Sequence, residues 1–103
     1  MTLAEARQSL DDVIHSPVRL TIMCALASVD SADYQTLKDA LDVSYALLSK
    51  HAAILEDAGY LVSEKTFRGK TPQTHFRLTR AGRAALAAHL EALDEIVRGL
   101  ASA

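Results

Sequence analysis

Apolar residues recur along the chain at two different spacings. Leu3, Ala6, Leu10 and Val13 lie three and four positions apart, which predicts an amphipathic helix over residues 2–15. Ser16-Pro17 then marks a new start, with a hydroxyl to cap and a proline at the first helical position, where its missing N–H costs nothing. The segment from Pro17 to about Ala27 holds Val18, Ile22, Met23 and Leu26, so burial on most of its sides is expected. After a short polar connection from Asp30 to Asp33, Asp33 caps a helix from Tyr34 to Leu41, with Leu37, Ala40 and Leu41 facing inward. Asp42-Val43 forms a tight turn. Ser44 caps a helix from Tyr45 to Ala58, and Gly59 is the usual left-handed stop. Two short helices joined by so tight a turn predict a helix-turn-helix over residues 33–58.

Beyond Gly59 the period shortens to two. Tyr60-Leu61-Val62 and Thr66-Phe67 suit one strand, Arg68 to Gln73 a polar turn, and Thr74 to Leu78 a second strand, giving a hairpin over residues 60–79. Thr79 caps a last helix from about Arg80 to Leu100. In it, Leu86, Leu90, Leu93, Val97 and Leu100 follow at spacings of 4, 3, 4 and 3, a seven-residue apolar repeat. At ~1.5 Å per residue such a helix is ~30 Å long and overhangs a small domain. It either lies on its own domain or pairs with a second copy. Pairing covers the seam, so a homodimer is expected, with residues 1–15 and 80–100 as its helices. Leu3, Leu10, Leu86, Leu90, Leu93 and Val97 are the interface candidates.

Composition narrows the class. Among 103 residues there are 18 Ala and 15 Leu against 4 Gly and 2 Pro, which favours one mostly helical domain over residues 1–103. Charges interrupt every apolar run short of the ~20 residues of a membrane span. Glu5, Arg7, Asp11 and Asp12 rule against a secretory signal at the N-terminus. Cys24 is the one cysteine, which excludes an internal disulfide or a paired-cysteine metal site. A cytoplasmic protein is expected.

The net charge of -2 hides an asymmetry. Residues 1–63 hold four basic groups against nine acidic ones, whereas residues 64–83 hold Lys65, Arg68, Lys70, Arg77, Arg80 and Arg83 against Glu64 alone. A basic island in an acidic chain suggests a localised anion-binding surface, although a solvated hairpin with no partner would carry the same charge.

Helix, helix, helix-turn-helix, basic hairpin and long helix, in that order, make the winged-helix arrangement. The expected fold is α+β and mostly helical, with a two-stranded β-hairpin wing and a long C-terminal dimerisation helix. Leu48-Ser49-Lys50-His51 followed by Leu55-Glu56-Asp57-Ala58-Gly59-Tyr60 resembles the recognition helix of small bacterial regulators related to the MarR and ArsR groups. Glu64 to Thr74 and then Leu78-Thr79-Arg80-Ala81-Gly82-Arg83 resemble a stand-alone winged-helix family of transcriptional regulators. The resemblance runs from about His15 to Leu93 and implies a DNA-binding regulator, with a repressor favoured.

The residues support that expectation independently. On the helix from Tyr45, Leu48, Ala52 and Leu55 form the inward stripe, with His51 on its border. Ala46, Ser49, Lys50 and Ala53 form the opposite one, with Ser44 and Tyr45 at its start. A face of small and hydrogen-bonding side chains enters a major groove without steric conflict. Lys50 reaches a phosphate or a guanine edge, Ser49 and Tyr45 donate to either, and the free N–H groups near Ser44 favour a phosphate. At the wing, Arg68, Lys70 and Thr71 are expected on the flanking backbone or in the minor groove, where charge gives salt-dependent affinity more than sequence choice. Arg77 and Arg80 are either phosphate contacts or partners of nearby carboxylates, and Arg83 is expected to be structural.

Other tempting residues carry less. His15, His51, His75 and His89 have no metal spacing. His51 is expected to fill a polar niche behind the recognition helix, and Cys24 to be a small buried hydrophobe. Glu56-Asp57 are adjacent on a helix and point apart, and no nucleophile elbow or phosphate-cradling loop occurs. The expected function is a homodimeric, sequence-specific regulator of double-stranded DNA, not an enzyme, with no cofactor or metal. A small apolar effector between the dimer helices and the core would add to it. The alternative is a protein-interaction module that docks an acidic partner on its basic wing.

Overall fold

The structure, a computed structural model, describes residues 1–102. The chain runs α1 (Leu3–Gln8), α2 (Pro17–Ala27), β1 (Ala32–Asp33), α3 (Tyr34–Leu41), α4 (Tyr45–Asp57), β2 (Leu61–Arg68), β3 (Thr71–Leu78) and α5 (Arg80–Arg98), and a 3-10 turn over Gly99–Ser102 follows. This is a winged helix. Among the described residues no helix is long and apolar enough to cross a membrane.

Each long helix begins where a side chain satisfies a free backbone donor. The Ser16 hydroxyl accepts from Arg19 N–H, Asp33 from Thr36, Ser44 from Leu47 and Thr79 from Gly82, at roughly 1 kcal/mol each. The bond from Thr36 N–H holds the carboxyl of the half-buried Asp33 below its ordinary range.

The first helix is shorter than the spacing predicts and stops at Gln8. The reason lies in the aspartate that follows. Asp11 Oδ1 accepts from Val13 N–H at 2.9 Å and from Ile14 N–H at 3.3 Å, so the backbone turns instead of extending the helix. Asp11 Oδ2 accepts from the Tyr60 hydroxyl, which raises the Tyr60 phenol above its ordinary pKa.

The sheet has three strands, in the order β1-β3-β2, rather than the two of a bare hairpin. Leu61 lies opposite Leu78 and Arg68 opposite Thr71, so the strands run on to a two-residue turn at Gly69-Lys70. Gly69, at φ 64°, takes the left-handed conformation that such a turn requires. The polar connection before α3 supplies the third strand, with Ala32 opposite Phe76 and Asp33 opposite His75.

The core gathers Ile22, Met23 and Leu26 of α2, Leu37 of α3, Leu48, Ala52 and Leu55 of α4, and Leu61, Phe76 and Leu78 of the sheet, with Ile14 and Leu86 closing it. One stripe of α2 stays outside it. Pro17, Thr21 and Cys24 follow at helical spacing and are exposed, so Cys24 is a surface thiol and not the buried hydrophobe expected. The apolar make-up of α2 overstates its burial, because α3 and α4 cover only part of the helix.

The start of α5 is bolted to the turn after α4. Thr79 Oγ1 donates to Gly59 O at 2.6 Å, and Thr79 N–H donates to Tyr60 O at 3.0 Å. A Cβ on Gly82 would stand 2.1 Å from Tyr60 O, so only glycine permits this approach. Arg83 donates to Ala27 O and Val29 O, both at 3.2 Å, closing the end of α2, which is the structural role expected. Leu86 is 5 % exposed and serves the chain's own core, which removes it from the surface seam that the apolar repeat predicts. The other end of α5 leaves the core. The radius of gyration is 15.5 Å, against ~13 Å for a compact chain of ~100 residues.

Candidate nucleic-acid interface

α4 separates its two faces cleanly. Leu48, Ala52 and Leu55 are buried, while Tyr45, Ala46, Ser49, Lys50 and Ala53 are exposed. The outward face therefore carries two methyl groups, one serine hydroxyl and one ammonium, with the larger phenol of Tyr45 at its start. Ser44 sits at the N-cap, and its Oγ accepts from Leu47 N–H at 3.1 Å.

Behind this helix, His51 occupies the polar niche expected of it. Arg19 Nη1 lies 3.0 Å from His51 Nδ1. A guanidinium only donates, so Nδ1 accepts and the proton resides on Nε2. Burial, then the charges of Arg19 and Lys50, lower the His51 pKa and keep the imidazole neutral. Arg19 Nε also donates to Val13 O, tying α4 through α2 to the turn that follows α1.

Tyr45 is exposed but not loose. Its ring stacks on Tyr34 with centroids 5.3 Å apart and planes at 22°, and Lys38 Nζ lies 4.8 Å above it, within cation–π range. Its hydroxyl donates to Gln35 Oε1. Ser49 Oγ meets the Tyr34 hydroxyl. Tyr34, Gln35 and Lys38 all belong to α3 and do not stand out in the sequence. Their one sequence signal is that α3 opens on an aromatic residue directly after its capping aspartate.

The wing stands beside this end of the helix. Asp33, Tyr34, Gln35 and Tyr45 line a cleft whose other wall is Pro72, Gln73 and Thr74 of β3. Arg68, Lys70 and Thr71 are exposed at the tip, and Arg68 and Thr71 pair across the last rung of the hairpin. Phe67, 71 % exposed, adds an apolar side chain there that sequence reasoning passes over. Arg77 is engaged elsewhere: its Nε donates to Glu64 Oε1 at 3.0 Å in an exposed pair. Of its two expected roles, the structure places it in the carboxylate partnership.

A second surface lies along α5 and the 3-10 turn after it. Val97 and Leu100 are 83 % and 84 % exposed, and Leu3 and Leu90 are exposed as well, while Leu10 and Leu93 are half-buried. α1 packs on α5 through the buried Ala6. The interface candidates other than Leu86 thus keep some accessible surface. Among the described residues no group of three His, Cys, Asp or Glu side chains converges on a metal site.

Several known proteins of similar shape are regulators. The family model described as a winged helix DNA-binding domain matches residues 18–97. The transcriptional regulator homologue from Pyrococcus horikoshii OT3 superposes with a TM-score of 0.84 at 26% identity, over 95% of each chain. The transcriptional repressor BigR from Xylella fastidiosa gives a TM-score of 0.61 at 25% identity, over 84% of this chain and 83% of its own. BpsR of Bordetella bronchiseptica, whose DNA binding is regulated by 6-hydroxynicotinic acid, shares the fold with a TM-score of 0.70 at 17% identity, over 93% of this chain and 72% of that one. Among curated proteins none matches.

Proposed function

Because the chain belongs to the winged-helix DNA-binding domain family, we propose that it is a transcriptional repressor that binds double-stranded DNA sequence-specifically as a homodimer. The observation that carries this reading is the juxtaposition at α4. An exposed helix face of small and polar side chains ends, at Tyr45, in a cleft shared with the basic hairpin. α4 enters the major groove with Ser49 and Lys50 toward the bases, and Ser44 and Tyr45 lie at its entry. Arg68, Lys70 and Thr71 take the flanking backbone; Arg77, held by Glu64, contributes less. Phosphate contacts of this kind supply affinity, and base contacts supply choice.

Dimerisation uses the overhanging half of α5 and the 3-10 turn that follows it. Leu90, Leu93, Val97 and Leu100, with Leu3 and Leu10 of the N-terminal segment, make an apolar strip that a second copy covers. A twofold axis then predicts a roughly palindromic operator with half-sites about one helical turn, or a multiple of it, apart. An effector site is proposed at the apolar cleft of about 350 Å³ bordered by His15, Ser16, Pro17 and Leu20, where α2 meets the N-terminal segment.

The test is a mobility shift against host genomic fragments. Selection of particular fragments supports the reading, and uniform binding favours a module that docks acidic proteins. Ser49→Ala with Lys50→Ala should blur sequence preference. Arg68→Ala with Lys70→Ala should weaken all sequences alike and flatten the salt slope. If the two pairs behave identically, the division of labour between helix and wing is wrong.

A further inference from the structure

Two hydroxyls on the outward face of α4 point their protons inward, and this fixes what they present to a ligand. A phenol has one proton. Tyr34 commits it to the carbonyl oxygen of Tyr45, 2.8 Å away, because a carbonyl only accepts. At its contact with Ser49 Oγ, Tyr34 is therefore the acceptor and the serine donates. Ser49 turns only lone pairs outward. Tyr45 repeats the arrangement, donating to Gln35 Oε1. The orientation of that amide is settled by its nitrogen, which donates to Asp39 Oδ1 at 2.8 Å, since a carboxylate offers no proton in return. The Tyr34 ring is held between Tyr45 at 5.3 Å and Phe76 at 5.6 Å, so its hydroxyl does not wander.

We propose that Ser49 reads a base amino group as an acceptor, and that Tyr34 is the positioning residue that makes it one. This rests on the reading of α4 as the groove-binding helix. In the major groove adenine N6 and cytosine N4 donate, whereas guanine N7 and O6, thymine O4 and every phosphate oxygen accept. A hydroxyl with only lone pairs to offer selects adenine or cytosine on the strand it touches and has nothing for a phosphate. The ability to donate to either partner, expected for Ser49 and Tyr45 from the sequence alone, is removed by the side chains of α3. Phosphate contacts fall to Lys50, Arg68 and Lys70.

The experiment is selection from random duplexes at one salt concentration, with the wild-type chain, Ser49→Ala and Tyr34→Phe. The wild type should enrich adenine or cytosine at one position per half-site. Ser49→Ala should lose that preference by roughly two- to tenfold, the worth of a single hydrogen bond. Tyr34→Phe keeps the ring stack and frees the serine proton, so it should admit guanine or thymine at the same position by a similar factor. Its other positions and its affinity for random DNA should stay within about twofold. Should Tyr34→Phe fail to fold, as judged by its melting curve, a duplex carrying a base analogue without the amino group takes its place. That duplex should weaken the wild type by the same roughly two- to tenfold and leave Ser49→Ala unaffected. A Ser49-dependent preference for guanine or thymine, no change with Ser49→Ala, or an unchanged selection by folded Tyr34→Phe overturns the inference. The absence of any enriched sequence with the wild type is a different result, and it overturns the DNA-binding reading and this inference together.

Discussion

The two halves of α5 are written in one apolar repeat but sit in opposite surroundings. In the first half, Gly82 lies against the Tyr60 carbonyl, and Leu86, His89 and Ala92 are buried. In the second, Val97 stands in solvent, and so does Leu100 in the 3-10 turn that follows, where the helix stops two residues short of the end its repeat predicts. A seven-residue pattern therefore covers two surroundings in series: the first turns complete the fold of one chain, and the last stay exposed, where the proposed second copy would pack. Heptad spacing locates an apolar stripe without saying whose core it belongs to.

The largest effect should come from Gly82→Ala. A Cβ placed 2.1 Å from a backbone oxygen forces α5 off the turn it is bolted to, at a cost of about 3 kcal/mol or more. Denaturant melts should show it. Leu86→Ala should cost about 2–4 kcal/mol by opening a cavity in the core, with no change in oligomeric mass. If mass changes and stability does not, the boundary between the two halves lies earlier than drawn.

Acidity should act on the buried half next. His89 is fully buried; its Nδ1 accepts from Asp11 N–H at 3.0 Å, and Nε2 has no partner among the described residues. Burial first and the nearby His15 second push its pKa below the ordinary value, and Asp11 opposes them. Asp11 also accepts the Tyr60 hydroxyl, so His15, Asp11 and Tyr60 are the titratable groups around the ring. The unfolded chain therefore takes up this proton first as pH falls. Stability should be full above pH ~6.5 and decline below it, by up to about 1.4 kcal/mol per pH unit for each such histidine. His51, shifted the same way, adds to the slope. His89→Gln, whose amide oxygen replaces the acceptor for Asp11, should flatten the slope below pH ~6.5. An unchanged slope would place its origin elsewhere.

The smallest effect on the fold should come from Val97→Glu with Leu100→Glu. Both positions are exposed, so the far-UV spectrum should persist while the mass by light scattering halves and operator affinity drops. Retention of the dimer mass would remove the second half of α5 from the interface.

Local rules make much of this molecule legible. Ser16-Pro17, Asp33, Ser44 and Thr79 start helices because a cap is a matter of three or four residues. The two faces of α4 follow from period alone. What the sequence could not show depends on distant partners. β1 is a strand only because β3 offers an edge to Ala32 and Asp33. Cys24 is exposed because its neighbours cover the other sides of α2. Ser49 and Tyr45 are legible as candidate contacts, yet the direction of their hydrogen bonds is invisible without α3. Leu86 and Val97 belong to the same repeat, and only tertiary packing distinguishes them.

The strand order β1-β3-β2 leaves β2 without a neighbour on its outer side, and β1 shields β3 over two rungs only. Bare main-chain edges of this kind invite other sheets to zip on, and lysine, arginine and proline discourage it. Lys65, Arg68, Lys70 and Pro72 sit on or beside those edges. Like-charged tips repel, and Pro72 has no N–H to lend. By that rule the cations of the hairpin disfavour edge-to-edge pairing of one copy's hairpin with the next, with or without nucleic acid present.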